Sequence, residues 1–356
     1  MLNFEIFEKL DDRCLNSFEE LIPNSYFNFF QNYDYLEHLI LEEDSEIKIV
    51  AIYDNKKIIA ILPLEIKRYF IFKILQWIGT KRSDFCNPIL SKNFHSCINN
   101  ENFISLWKKI LEKIGGYDLI FLNNQLSKVG DCENPFVKHL KAIKFSKIHQ
   151  INLPNNFQKF LKNQKTKDKK KYYEIHRTII KLKKLNDKFD VFFDIKKLPN
   201  EKISFRQIIE NKKNQLKSKG IKHNLDEKFI KVFTKLINKR KREDTKFFIT
   251  SLKVENEDIS SCFGIIFDKT FYYYIPFIQS NNHNKFKPGK ILTLKLIEWC
   301  IENKIKFFDF GLGEEKYKEY FSNNTLDLYR FVEHKNLFGK LLLFLMKIIY
   351  YNKSFQ

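Results

Sequence analysis

The spacing of apolar positions changes several times along the chain, and each change marks an element. After Asn24-Ser25-Tyr26-Phe27, aromatic and aliphatic residues recur at three- and four-residue spacing through Leu41, which predicts a helix. Ile47 to Ala51 and Lys57 to Leu64 carry β-branched residues around an Asp54-Asn55 turn, the pattern of a hairpin. Ile71 to Ile78 is a further apolar run, punctuated by Gly79-Thr80 and Asn87-Pro88. Phe103 to Ile114 predicts a helix stopped at Gly115-Gly116, and Tyr117 to Leu122 a short buried strand. Asn152-Leu153-Pro154-Asn155 opens a second half. There Phe157 to Leu185 predicts one long helix, Asp190 to Phe193 a strand, and Ile203 to Lys219 and Asp226 to Arg240 two helices. Phe247 to Val254, Ser260 to Phe267 and Thr270 to Phe277 then read as a three-stranded meander, followed by a helix over Ile291 to Asn303 and a strand over Lys306 to Phe310.

This order predicts an α/β fold, with residues 1–150 as one unit, 151–335 as a second and 336–356 as an apolar, basic C-terminal helix. Each half runs through helices, antiparallel strands, a crossover helix and a further strand, so a mixed sheet flanked by helices is expected twice.

Composition excludes a disordered chain, because 44% hydrophobic and 16% aromatic residues supply a core. The formal net charge of +20 points towards anionic partners. Yet only eight of the 63 basic residues are Arg, the residue suited to bidentate phosphate and base contacts. Lys, Asn, Ile and Phe all have AT-rich codons, so base composition accounts for part of the charge. Between Lys159 and Lys188 stand twelve basic and three acidic residues, net +9. That stretch is open to three readings: a solvated face, a docking face for an anionic sugar- or lipid-linked substrate, or an RNA contact. It lacks the interleaved aromatics that base stacking would use in Lys165-Thr166-Lys167-Asp168-Lys169-Lys170-Lys171. The six cysteines are scattered without CxxC or metal-ligand spacing, and the N-terminus lacks the basic and apolar regions of a secretory signal. A cytoplasmic protein with free thiols and no metal is expected. Cys262 and Cys300 read as buried structural thiols, and His149, His176 and His283 as solvated or loop residues.

Two segments carry candidate chemistry. Lys287-Pro288-Gly289-Lys290 precedes a helix, whose N-terminus offers backbone N–H groups and partial positive charge to a phosphate; an ordinary strand-to-helix turn uses the same residues. Neither GxGxxG nor GxxxxGK[ST] occurs. In the second segment, Phe307 to Phe321, Asp309 falls between aromatics at a strand end, and Gly311 and Gly313 permit a tight exit. If the chain is helical after Gly313, Glu314 and Lys318 share a face, as do Tyr317 and Phe321. Asp309, Glu314, Tyr317 and Lys318 then supply carboxylates, a hydroxyl and an ammonium for proton transfer and anion binding. They equally fit a cap, a surface ion pair and a core aromatic. The C-terminal stretch 337–351 is apolar nearly all round, with Lys340 and Lys347 seven apart. It is too short and interrupted to span a membrane, and suits either a membrane interface or a packed helix.

Tyr274 to Phe321 resembles the last third of the BioF2-like/CelD-type acetyltransferases, in the FemAB-like, tandem part of the GNAT superfamily. The Pro288-Gly289 turn before Leu292 and Leu294, the Phe-Asp-Phe-Gly strand end at Phe308 to Gly311, and Gly313-Glu314 followed by Tyr317-Lys318 carry the likeness. Phe27 to Leu39, Ile61-Leu62-Pro63-Leu64 and Gln150 to Leu153 extend it more weakly. The Q/R-x-x-G-x-G/A loop usual in that superfamily is missing. The resemblance implies tandem GNAT-like domains and an acyltransferase that moves an acetyl or other acyl group from acyl-CoA to an amine on a cell-envelope or polysaccharide-related acceptor. In it Asp309 or Glu314 would accept the amine proton, Tyr317 would protonate the thiolate, Lys318 would meet negative charge, and Lys287 to Lys290 would hold the CoA pyrophosphate. Two alternatives stand beside it: aminoacyl transfer from aminoacyl-tRNA, as in Fem-like enzymes, and a non-catalytic GNAT scaffold on RNA or anionic membrane.

Overall fold

The computed structural model describes residues 2–43, 45–199, 205–239, 245–279 and 283–353. They form two compact units, Met1–Ser146 with Asp327–Gln356, and Lys147–Leu326. The first unit runs β1 (Leu2–Phe7), α1 (Asp12–Leu21), β2 (Ser25–Tyr26), α2 (Tyr33–Glu42), β3 (Glu46–Asp54), β4 (Lys57–Tyr69), β5 (Phe72–Trp77), β6 (Ile89–Ser91), α3 (Phe94–Cys97), α4 (Asn100–Ile114), β7 (Leu119–Leu126), the ribbon β8 (Lys128–Val129) and β9 (Cys132–Glu133), and α5 (Pro135–His139). β10 (Ile143–Asn152) leads into the second unit, with α6 (Phe157–Lys167), α7 (Lys169–Asn186), β11 (Val191–Leu198), α8 (Phe205–Ser218), α9 (Glu227–Asn238), β12 (Thr245–Val254), β13 (Glu257–Phe267), β14 (Thr270–Ile278), α10 (Pro288–Glu302), β15 (Phe307–Asp309) and α11 (Lys316–Phe321). β16 (Asn324–His334) and α12 (Leu337–Lys353) close the chain.

The strand order is β1-β3-β4-β5-β7-β16 in the first unit and β11-β12-β13-β14-β15-β10 in the second. The β5–β7 and β14–β15 pairs are parallel, and the other neighbours in these two orders are antiparallel. A parallel pair needs a long crossover, and α4 and α10 supply one each. Apart from the short β2, β6 and α3, the stretches β1 to β7 and β11 to β15 thus both run strand, two helices, meander, helix, strand. This is the doubled, mostly antiparallel α/β plan that the sequence predicts. Each sheet is completed by a strand from later or earlier in the chain, β16 beside β7 and β10 beside β15.

That completion shifts the expected boundaries of 1–150, 151–335 and 336–356. Leu328 to His334 pair with Leu126 to Leu119, so the chain from Asp327 belongs to the first unit. The expected long helix over Phe157 to Leu185 is two helices. Asp168 interrupts it in an extended conformation, and its carboxyl accepts the N–H groups of Lys170 and Lys171 as the N-cap of α7. Arg240, expected at the end of α9, lies outside the described residues.

In the first unit Trp77, Phe103 and Trp107 stand edge-on to Phe136 at 5.0–5.3 Å between centroids. In the second, Phe271, Tyr273, Phe308 and Phe310 pack under α10, whose Ile291, Leu292, Leu296 and Ile297 are fully buried. Each such side chain contributes about 1.5–3 kcal/mol when buried. This aromatic layer fixes the end of β15 and the start of α10, the two places that carry candidate chemistry.

Candidate active site

β14 and β15 run parallel only from Thr270–Tyr272 against Phe307–Asp309. β15 stops there, while β14 continues along β13 to Ile278. Beyond Tyr272 one edge of β14 therefore has no strand partner among the described residues. The Phe277 carbonyl accepts from Ser260 Oγ at 3.2 Å, and the Gln279 N–H donates to Ile259 O at 3.2 Å, so both face β13. Alternation turns the Pro276 and Ile278 carbonyls to the open edge. There α8 meets them: Lys212 Nζ donates to Pro276 O at 2.6 Å and Gln215 Nε2 to Ile278 O at 2.9 Å. Burial lowers the Lys212 pKa to about 8. A cleft of about 620 Å³ adjoins this edge, lined by Asn211, Gln215, Ser218, Phe277, Gln279 and Asn284 among others.

Asp309 marks the point where the two strands part. Its carboxyl is buried, with Oδ1 accepting the Gly311 N–H at 2.7 Å and Oδ2 accepting from Gln150 Nε2 at 3.3 Å. These bonds turn the chain out of the strand. The following loop wraps an ammonium: Lys318 Nζ is buried, donates to Leu312 O at 2.5 Å and pairs with Glu315 Oε2 at 2.9 Å. Gly313 sits between them at φ +111°, and a Cβ there would run into the Glu315 carboxylate and come within 3.0 Å of Lys318 Nζ. Tyr317 is half-buried, edge-on to Phe310 at 6.1 Å, and burial pushes its hydroxyl pKa well up, which favours the protonated form.

At α10 the cap residue Lys287 is left-handed (φ 60°), and its carbonyl accepts the N–H groups of Lys290 and Ile291. Pro288 has no N–H, so Gly289 holds the remaining amide of that turn. Its missing side chain also lets α10 approach β14, since a Cβ would lie 2.8 Å from Ile278 Cδ1. Lys290 Nζ pairs with Glu174 at 3.0 Å and lies 4.7 Å over the Tyr320 ring, while Lys287 is exposed. α7 adds Lys181 and Arg177 to this corner. Burial and then the like charges of Lys287 and Lys290 lower the Lys181 pKa. Glu174 answers them; its pKa is lowered first by the hydrogen bond from Lys290.

The structure therefore brings Asp309, Tyr317 and Lys318 to one strand end and Lys287, Pro288, Gly289 and Lys290 to one helix start. Glu314 departs from its expected place. α11 begins at Lys316, so Glu314 is exposed outside the helix and Glu315 is the partner of Lys318. His149, expected in solvent, is buried on β10 with Nδ1 3.3 Å from Ser322 Oγ, and burial followed by the Lys147 charge lowers its pKa. Cys262 and Cys300 are buried, as expected, and burial pushes both thiols up. Sequence reasoning missed Lys212, Gln215 and Lys181. Nothing local distinguishes them from other residues on Lys-rich helices; only the strand edge and loop they meet do.

Residues 169–319, inside the second unit, match the model of the acetyltransferase (GNAT) domain. This chain carries a GNAT acetyltransferase domain. Its acyltransferase class follows from that domain, and the tandem layout is shared with solved structures. The fold resembles FemX (TM-score 0.57, 8% identity, covering 92% of this chain and 97% of that one). It also resembles a tandem GNAT protein from the clavulanic acid biosynthesis pathway (TM-score 0.53, 8% identity, 94% and 98%). A third similar structure is the C-terminal domain of an Agrobacterium fabrum protein named for lysylphosphatidylglycerol synthesis (TM-score 0.53, 9% identity, 93% and 95%). At such identities these likenesses speak for the fold. A comparison with curated proteins gave no match.

Proposed function

We propose that this acyltransferase moves an acetyl or other acyl group from acyl-CoA to an amino group on a cell-envelope or polysaccharide-related acceptor. The observation that carries the donor half is the parting of β14 and β15 beside the α10 start. An amide-bearing donor arm can bond along the β14 edge that lacks a strand partner among the described residues, where it would meet the Lys212 and Gln215 side chains on the Pro276 and Ile278 carbonyls. The Lys181, Lys287 and Lys290 ammonium groups suit its phosphates. The amine lone pair attacks the thioester carbonyl carbon, a C–N bond forms, and the C–S bond breaks with release of a thiolate. Asp309 takes the amine proton in this reading, because it stands where the strands part and Glu314 does not. Tyr317, kept protonated by burial, returns a proton to the thiolate. Lys318 shapes the loop around them, with Glu315 and Leu312 already holding its ammonium. The acceptor is read as anionic and sugar- or lipid-linked from the basic face of α6 and α7. Six unpaired thiols and a CoA donor support a cytoplasmic setting.

The basic α6–α7 face also favours a second reading, aminoacyl transfer from aminoacyl-tRNA. Thermal unfolding with acetyl-CoA, CoA or tRNA separates the two. A ligand at a hundredfold its Kd stabilises by about 2.7 kcal/mol. Stabilisation by acetyl-CoA that disappears in Lys181→Met/Lys287→Met supports the CoA reading. Stabilisation by tRNA alone, with RNase-sensitive turnover, overturns it.

A further inference from the structure

α12 turns the wrong face outward for a helix in water. Its Gly339, Leu342, Leu343 and Met346, spaced i, i+3, i+4, i+7, are buried or half-buried where the helix packs on β5 and β7. At Gly339 a Cβ would strike the Asp118 carbonyl, so the helix lies close against the unit. The other side presents Leu337, Phe338, Leu341 and Phe344, which are 48–81% exposed. A soluble helix normally presents polar residues there.

A second element exposes large apolar residues next to it. In the β4–β5 turn Phe70 is 96% and Ile71 70% exposed, and Phe70 takes φ 55°, an uncommon conformation for an aromatic residue. Asp118 ties turn and helix together. Its Oδ2 accepts the N–H of Lys73, at the start of β5, and its Oδ1 accepts from Asn336 Nδ2, both at 2.8 Å. Asn336 in turn caps α12 by accepting the Gly339 N–H at 2.9 Å. Apart from Asp118, whose carboxylate is engaged by the Lys73 N–H and Asn336, lysines border these apolar groups. Residues 335–353 hold four Lys and no Asp or Glu. Lys335 lies 4.5 Å over the Tyr117 ring, and Lys81 4.6 Å over the Tyr69 ring next to Phe70. Tyrosines and lysines around an apolar stripe match the chemistry of a headgroup layer. No helix among the described residues is long and apolar enough to cross a membrane.

We infer that the α12 stripe and the Phe70–Ile71 turn form one docking surface for an anionic lipid bilayer. The helix lies in the plane of the interface, with its apolar stripe at the acyl boundary and Lys335, Lys340 and Lys81 among the headgroups. An isolated apolar face would fit a second copy of the chain as well. The lysines of residues 335–353, with no carboxylate among them, argue against that occupant, because two copies would bring like charges together.

Co-sedimentation of the full chain with vesicles of phosphatidylcholine alone, or mixed with phosphatidylglycerol, tests this. The protein should bind the mixed vesicles, weakly or not at all the neutral ones, and lose affinity as salt rises. Leu341→Glu/Phe344→Glu should weaken binding by at least about tenfold, and Phe70→Ser/Ile71→Ser on the separate element should weaken it too. Lys340→Gln should cost about fivefold, the factor for one lysine at an anionic surface. All the substituted residues are exposed, so circular dichroism should report native folding. Binding equal in wild type and both apolar variants, or binding indifferent to phosphatidylglycerol, overturns the inference. So does light scattering that finds a wild-type dimer and a Leu341→Glu/Phe344→Glu monomer.

Discussion

The Lys318–Glu315 pair yields an asymmetric prediction. Lys318 is 3% exposed, whereas 58% of the Glu315 side chain faces water. Breaking a fully buried pair costs about 3–5 kcal/mol, and breaking an exposed one about 0–1 kcal/mol. With one partner on each side of that divide, Glu315→Gln should cost about 2 kcal/mol, because it leaves a buried ammonium on the Leu312 carbonyl. For a domain of this size that is a fall in Tm of about 4–8 °C. Lys318→Met removes the charge itself, fills the space of the stem and leaves only a neutral carbonyl unmet, at about 1 kcal/mol. Stability should therefore rank wild type, Lys318→Met, Glu315→Gln. The pH dependence follows from Glu315. Burial raises its pKa, but the hydrogen bond and charge of Lys318 outweigh this and hold it below the ordinary value of 4.5. A carboxyl with a lowered folded pKa stabilises fully above its unfolded value and loses that contribution as pH falls through the folded value. Glu315→Gln should flatten that acid limb. Calorimetry from neutral to acid pH, with acyl transfer measured in parallel, reads both. If Lys318→Met abolishes turnover at unchanged Tm, or proves the more destabilising change, the ammonium is not a loop anchor and the reasoning fails.

Asp309→Asn should lower kcat by about a hundredfold or more at near-native Tm, the loss expected of a missing general base; unchanged turnover removes Asp309 from the proposed chemistry. Lys181→Met should raise the KM for acyl-CoA several-fold with kcat nearly unchanged, since it removes one charge at the α10 start; an equal fall in kcat would contradict a pure binding role. Lys212 has a folded pKa near 8 against an ordinary 10.5, so the unfolded chain holds the extra proton between these values. Stability should rise with pH across that window and Lys212→Met should erase the rise, which urea unfolding at several pH values measures. Gly264→Ala places a methyl against the Phe271 ring and should cost about 1–3 kcal/mol by overpacking; a neutral effect would show that the ring moves freely.

The sequence's local signals proved legible where chemistry and geometry are local, and failed where a distant partner decides. The meander was readable because its β-branched runs are separated by Glu255-Asn256 and Asp268-Lys269, which take positive φ. Asp309 was readable because a carboxyl between Phe308 and Phe310 must be buried with partners, although nothing nearby named Gln150 as one. The exchange of β10 and β16 was not, because both are ordinary alternating strands whose register is set across 159 and about 200 residues of chain. The ion pair of Lys318 was misassigned for a reason of phase. A helix counted from Gly313 makes Glu314 its i+4 partner, but Gly313 at φ +111° cannot continue into α11, which starts at Lys316 and puts Glu315 at i−3. The abundance of lysine hid the rest. Lys181 and Lys212 are indistinguishable from the other lysines in a chain with 63 basic residues, yet the fold gives them different environments, the charges of other lysines for one and a strand carbonyl for the other. Composition sets how many charges the chain carries; the strand that stops at Asp309 and the helix that starts at Pro288 decide which of them gather at the proposed site.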